Sequence, residues 1–243
     1  MSSLVWPPRA VVDYIARHIA GEIVLSNKPG SVMRKWRELF GASQLEVAHH
    51  MGVSPSVISD YEKGRRVPGS SFVRRFVEAL IEIDAEHGWV TVLRLAKNFQ
   101  IHYLSAVIDM AEFEHGVRID DVIKAVRGIP VNSFIEEQRV YGYTIVDSIK
   151  AILSLAGNEF FYLLGSTSQR VVVFTKVTSG RSPMIALRVS TIKPAVIVLH
   201  GTRRLDYLAA WIAESENLPV ILSTARDVEE LTKNLRALAF SPQ

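Results

Sequence analysis

Residues 31–69 read SVMRKWRELFGASQLEVAHHMGVSPSVISDYEKGRRVPG, and the punctuation of this stretch decides the fold of the first part of the chain. Gly41 ends a first helix. Ser43 is a good N-cap for a second, and Glu46 three residues later completes a capping box. Leu45, Val47, Ala48 and Met51 are the apolar positions of that second helix. Gly52 follows directly and supplies the positive-φ residue that a tight inter-helix turn needs. Val53 is expected to pack beneath the turn. Ser54 caps a third helix and Pro55 takes its first position, where a missing N–H is harmless. Val57, Ile58 and Tyr61 are the apolar positions there. Ser56, Ser59, Asp60 and Lys63 make a polar face, and Gly64 ends the helix. Two short helices joined at Gly52 by a three-to-four-residue turn have helix-turn-helix geometry. The punctuation continues to residue 86, giving four short helices over 31–86.

The same residues carry a family resemblance. Arg37, Gly41, Ser43-Gln44, Val47-Ala48, Gly52-Val53-Ser54, Ile58-Ser59, Tyr61-Glu62, Gly64 and Pro68 stand at matching positions across about residues 30–85. This stretch resembles the XRE, or lambda-repressor-like, helix-turn-helix family. The phrases RKWRELFGASQ and SPSVISDYEKGRR are similar to an archaeal branch whose regulators carry an uncharacterised α/β domain. The resemblance implies binding of double-stranded DNA by a dimer, with a recognition helix at about 54–63 in the major groove. It implies that Gln44 contacts the DNA backbone and the recognition helix. Ser54 opens that helix within the DNA-binding set, and Pro55, Ser56, Ser59 and Asp60 fall where the family faces base edges. Lys63, Arg65 and Arg66 fall in a loop that approaches phosphate. Arg37 and Glu62 fall where members form a structural ion pair. The chain departs from strong base readers, because Pro55–Asp60 holds no Arg or Gln for a bidentate contact. DNA shape is therefore expected to contribute to specificity.

Charge agrees with this reading. The net charge of the 243 residues is only +3, but residues 28–75 hold 9 basic and 4 acidic side chains, net +5. Residues 76–134 follow with 5 basic and 9 acidic, net −4. A local basic patch suffices for phosphate binding. The low total charge argues against a nucleoid protein that coats DNA without specificity. The absence of cysteine excludes disulfides, thiolate metal sites and a thiol nucleophile. His49-His50 makes a poor chelate, because adjacent helical residues point apart. No metal or cofactor is expected. No long apolar run suggests a membrane span, and the start MSSLVWPPRAVV lacks signal-peptide order. A cytoplasmic, nucleoid-associated protein is expected.

The fold expected is α+β multidomain: an N-terminal all-α helix-turn-helix domain with additional helices, then a mixed α/β domain. Residues 1–30 are read as a helix over 8–25, with a role in dimerisation, and a loop over 26–30. Residues 31–86 are the DNA-binding domain. Residues 87–134 are read as a helical linker and dimerisation region, with three helices including one from Tyr103 to Phe113. The domain boundary is expected between 128 and 138. Residues 135–243 are read as strands RVYGYTIV, EFFYLLG, RVVVFTKV and MIALRVS, a helix DSIKAILSLAG closed by Gly157, then a β-α-β-α ending with a parallel crossover. Dimerisation is expected through 1–27 and 86–130.

The α/β part offers three polar loops. One is Gly165–Arg170. Another is Gly180-Arg181-Ser182, and the third is His200-Gly201-Thr202-Arg203-Arg204 before a helix. The last two are candidate sites for a small anionic effector, since strand ends beside helix N-termini are where such sheets bind ligands. No Walker A, GxGxxG or HExxH pattern occurs, and no triad spacing is recognisable, so an enzyme is not expected. The alternative is a metabolite-binding protein or enzyme in the α/β part with an attached regulatory DNA-binding module.

Overall fold

Pro8 starts the first helix, α1 (Arg9–Leu25), and Ala10, Val11, Ile15, Ile19 and Ile23 recur along its buried face. The computed structural model describes residues 7–99, 101–134, 138–155, 160–164 and 167–239. The chain divides into two compact units, residues 1–102 and 103–243. The first unit continues with α2 (Pro29–Leu39), α3 (Gln44–Met51), α4 (Pro55–Glu62), α5 (Ser70–Glu86) and α6 (Val90–Asn98). The apolar stripe of α1 packs on α5, α2 and α6. That stripe therefore belongs to the core of the DNA-binding unit and is not available for dimerisation.

Several local expectations are corrected here. The loop over 26–30 is shorter, because Pro29 already occupies the first turn of α2. Gly30 follows it because a Cβ there would lie 2.0 Å from the carbonyl oxygen of Tyr61. Only hydrogen lets α2 lie against the end of α4 so closely. Leu45 is 67% exposed and takes no part in the core. The α3 core positions are Val47, Ala48 and Met51. Asp84, inside the apolar stripe of α5, is buried and accepts N–H bonds from Thr91 (2.9 Å) and Val92 (2.8 Å). It thereby satisfies the orphan donors at the start of α6.

The second unit is a six-stranded sheet. In chain order its elements are β1 (Val107–Arg118), α7 (Ile119–Ala125), β2 (Gly128–Pro130), β3 (Arg139–Asp147), α8 (Ser148–Ser154), β4 (Val171–Thr175), α9 (Arg181–Val189), β5 (Val196–His200), α10 (Tyr207–Ser215), β6 (Val220–Ser223) and α11 (Val228–Ala239). The spatial order is β1-β3-β4-β5-β6-β2, with β3 to β6 parallel and the two edges antiparallel. The β4 to β6 strands are short runs of Val, Ile, Leu and Phe buried on both faces, as a covered parallel sheet requires, and β3 is buried from Gly142 onward. One face packs on α7 and α11 through Ile119, Val122, Leu231 and Leu235. The parallel strands β3 to β6 are joined in turn through α8, α9 and α10, and connections of this kind are right-handed almost without exception.

Five readings of this region change. The expected helix from Tyr103 to Phe113 is a short 3-10 turn followed by β1. Its inward positions include Asp109, so the apolar alternation that marks a strand is broken by a carboxylate. Asp109 is buried because distant groups satisfy it. Tyr143 Oη donates to it at 2.6 Å, and Arg236 Nε donates at 2.8 Å with Nη2 at 2.5 Å. The pairing of β1 with β3 also moves the division of the chain to 102/103, away from 128–138. The expected strand MIALRVS lies in α9, which buries Pro183, Met184 and Leu187 and exposes Ile185 and Val189. Parallel β4 and β5 need a crossover between them, and that context overrides the alternation. The described part of EFFYLLG, Phe160–Leu164, is a 3-10 turn. Gly157, Gly165 and Ser166 lie outside the described residues. The short edge strand β2 was not expected.

Candidate nucleic-acid interface

The turn between α3 and α4 is built by caps. Ser43 Oγ accepts from Glu46 N (3.1 Å), and Glu46 Oε2 accepts from Ser43 N (2.7 Å). These bonds hold the Glu46 carboxyl below its usual range. At the other end Gly52 stands at φ 62, with Gly52 N donating to His49 O (3.0 Å) and Val53 N to Ala48 O (2.9 Å). That 5→2 and 6→1 pair closes α3 and sets the entry of α4. Arg75, on α5, donates to the carbonyl of Met51 and fixes the same corner from outside. No local periodicity marks Arg75, since its partner is 24 residues away.

The second helix of the motif, α4, is held by one buried cluster. Arg37 donates through Nε to Glu62 Oε1 (2.6 Å) and through Nη2 to Oε2 (3.0 Å). Its Nη1 donates to Ala42 O at 2.9 Å. Gln44 Nε2 adds a third bond to Glu62 Oε2, at 2.8 Å. The Glu62 side chain is 2% exposed and that of Arg37 11%. The Glu62 carboxylate raises the Arg37 guanidinium above its ordinary range, against the effect of burial. Three helices thus meet on one carboxylate, and the orientation of α4 relative to α2 and α3 follows.

The outer face of α4 carries Pro55 and Ser56, both exposed, with Ser59 and Asp60 half-buried. Ser54 holds the N-cap position but its Oγ lies 2.8 Å from Ser56 Oγ and makes no cap bond. Asp60 Oδ1 accepts from Arg65 Nη1 (3.0 Å), and its Oδ2 lies 4.0 Å from Arg66 Nε. The carboxylate that faces outward therefore steers the two arginines after the helix. Lys63, Arg65 and Arg66 are exposed. Asp60, one turn after Ser56 on the same face of α4, contacts this basic loop. His50 Nε2 is 3.6 Å from Glu86, and among the described residues no group of three or more ligating side chains surrounds either His49 or His50.

In the second unit Gly180–Ser182 and His200–Arg204 do come together at the carboxyl ends of β4 and β5. Asp206 N donates to Ser179 O at 2.9 Å, and Arg181 clamps Asp206 through Nε (3.1 Å) and Nη2 (2.9 Å). Asp206 also caps α10, accepting from Leu208 N at 3.0 Å. The arginine and the helix N-terminus that an anion would use are thus both engaged by the chain's own carboxylate, whose pKa they lower. Burial lowers the pKa of His200, whose Nδ1 lies 3.3 Å from Ser223 Oγ. Thr202 is buried and donates to Arg204 O at 2.7 Å. Gly201, at φ 110, lies against the Val177 backbone. The exposed cations of the pair of loops are Arg181, which Asp206 engages, and Arg203 and Arg204. A neighbouring pair that sequence spacing could not reveal joins Lys176 Nζ to Asp147 (2.7 Å), 29 residues apart. Arg170, expected in a polar loop, is fully buried and bonds to Glu112 and to the carbonyls of Leu164 and Ala111.

A capped helix-turn-helix with a basic loop after the second helix defines the first unit as the DNA-binding domain of a transcriptional regulator. The helix-turn-helix family model matches residues 33–83. An uncharacterized HTH-type transcriptional regulator of Archaeoglobus fulgidus is 44% identical over 224 residues, covering 91% of this chain and 96% of that protein. A second, from Methanocaldococcus jannaschii, is 41% identical over 231 residues, covering 93% and 95%. The chain belongs to this family of archaeal HTH-type transcriptional regulators with an XRE-type DNA-binding domain. No solved structure matches it. Among the described residues no helix is long and apolar enough to cross a membrane.

Proposed function

We propose that the protein binds operator DNA as a homodimer, with α4 in the major groove and the loop from Lys63 to Arg66 on phosphates. The observation that carries this reading is the bond network in which Gln44 and Arg37, itself tied to the Ala42 carbonyl, hold Glu62 and fix the α4 orientation while leaving its outer face to solvent. Ser56 and the backbone around Pro55 meet base edges. Asp60 acts through Arg65 and Arg66 as well as on the bases themselves, accepting from cytosine N4 where geometry allows. Two copies related by a two-fold axis would read half-sites about one helical turn apart. A DNA partner puts the protein with the chromosome in the cytoplasm.

Selection from randomised duplexes tests this. The wild-type chain should enrich a two-fold-symmetric motif, and Asp60→Asn should alter base preference inside each half-site. Total affinity of Asp60→Asn should rise, because a negative charge leaves the phosphate surface and Arg65 loses its partner. An unaltered motif in the variant removes Asp60 from base readout, and a motif without symmetry removes the dimer.

The second unit serves oligomerisation and, at Arg203 and Arg204, response to a small anionic effector. The engagement of Arg181 by Asp206 narrows the cationic candidates to these two. Arg203→Ala with Arg204→Ala should abolish any effector response and leave operator affinity unchanged. No reaction is assigned to the unit.

A further inference from the structure

The outer surface of α9 and α10 is strongly apolar for a layer that no described residue of the unit covers. Tyr207 is 84% exposed, Val189 78% and Trp211 54%, with Ile185, Ile192 and Leu208 exposed beside them. Ile185 and Val189 are one turn apart on α9, opposite its buried Met184 and Leu187. Tyr207 and Trp211 are one turn apart on α10, opposite its buried Ala209, Ile212 and Ala213. The two helices pack side by side, so the outward pairs form one patch.

Its size exceeds that of an ordinary surface. With about 150–250 Å² for a whole aromatic residue, the six side chains expose on the order of 700 Å². The largest apolar patch of a monomer is typically roughly 300–600 Å², and a stable interface takes about 800 Å² from each partner. The rim decides what occupies it. Arg188 and Lys193 both pair with Glu216, at 2.7 and 2.9 Å, and Arg181 pairs with Asp206 at 2.9 Å. With exposed Glu214, the two helices and their ends, residues 181–193 and 206–216, carry three cations and three anions, and Arg203 and Arg204 stand in the loop ahead of α10. A membrane surface would favour a cationic rim, and a polyanion would as well. A balanced rim around an apolar centre meets a copy of itself without like-charge repulsion, as an isologous two-fold interface requires.

We infer that a second copy of this chain docks on the α9–α10 surface and that this face is the dimer interface. The inference rests on the homodimer reading above, and oligomeric state and DNA binding are measured separately so that the two can fail separately. In sedimentation of the full chain, the wild type should run at twice the 27.1 kDa chain mass. Trp211→Glu and Val189→Glu should each weaken self-association at least 100-fold. Leu25→Glu, a change at an exposed apolar residue of α1, should leave it intact. A wild type that is monomeric overturns the dimer reading itself. Dimers that survive both α/β substitutions overturn only this assignment.

A second measurement does not require disruption. The chain has no cysteine, so Trp211→Cys and Val189→Cys provide single thiols on the folded protein. Oxidation or a short bis-maleimide should join Trp211→Cys or Val189→Cys chains into covalent dimers, and Leu25→Cys should give none. Cross-linking at residue 25 without any at 189 or 211 overturns the assignment.

Discussion

Replacing Glu62 by Ala should weaken the first unit by about 3 kcal/mol. The carboxylate accepts three bonds, at 2.6 and 3.0 Å from Arg37 and 2.8 Å from Gln44, in a site that leaves its side chain 2% exposed. Hydrogen bonds to charged groups contribute roughly 1.5–3 kcal/mol each, and deleting one partner of a buried pair costs about 3–5 kcal/mol because the other charge stays behind. The lower end of that range applies. Arg37 keeps its bond to Ala42 O and has Glu38 at 3.8 Å as a weak second partner. For a unit of this size about 3 kcal/mol corresponds to a fall in Tm of roughly 12–24 °C. Hydrogen exchange of the α2 and α4 amides in the full chain, followed by mass spectrometry, reads this without interference from the second unit. The loss should persist in high salt, since buried pairs are screened little. Exchanging both partners for apolar residues, Arg37→Met with Glu62→Leu, should recover most of it. A loss for Glu62→Ala below about 1 kcal/mol is the range of a solvated surface pair, and would refute the claim that this cluster sets the position of α4.

Other outcomes follow from the same geometry. Arg65→Ala with Arg66→Ala should lower affinity for all duplexes alike and reduce the slope of log affinity against log salt by about 0.9 for each phosphate no longer neutralised; an unchanged slope in a titration series means these arginines face away from DNA. Gly52→Ala should cost about 1–2 kcal/mol from backbone strain at φ 62 alone, because no atom lies within 4 Å of the added Cβ; chemical denaturation measures it, and a neutral substitution would mean the turn adopts another conformation. Tyr143 is pushed up by burial and by the bond its hydroxyl donates to Asp109. The folded state therefore keeps a proton that the unfolded chain loses near pH 10, so this contribution is fully present below about pH 10 and is lost as pH rises further. Alkaline unfolding of the second unit should be steeper in the wild type than in Tyr143→Phe, and equal slopes would contradict the assignment.

The strand β1 changes how the two units can be separated. A fragment ending near residue 130 would carry Val107–Arg118 without its partner β3 and expose an unpaired edge. A fragment ending at residue 102 leaves the sheet whole in the other piece.

The helix-turn-helix was legible from residues 31–69 because its signals are local. Ser43 with Glu46, Gly52 and Pro55 each act within a few residues of themselves, and caps of this kind mean the same thing in most settings. The apolar strands β3 to β6 were legible for the related reason that a strand buried on both faces is apolar throughout. What sequence periodicity missed depends on partners far along the chain. Asp109 interrupts the alternation of β1 and is tolerated only because Tyr143 and Arg236 reach it from 34 and 127 residues away. Ile185, Leu187 and Val189 alternate like a strand, yet the parallel pairing of β4 with β5 demands a helix between them. Arg181 read as part of a candidate effector loop until the fold joined it to Asp206 across 25 residues. Residues alone thus determined that this chain carries a DNA-binding helix-turn-helix, because local backbone chemistry encodes it. Which buried charges are satisfied, where the units divide and which apolar helices remain uncovered were decided only by tertiary packing, since those energies depend on partners that no local window contains.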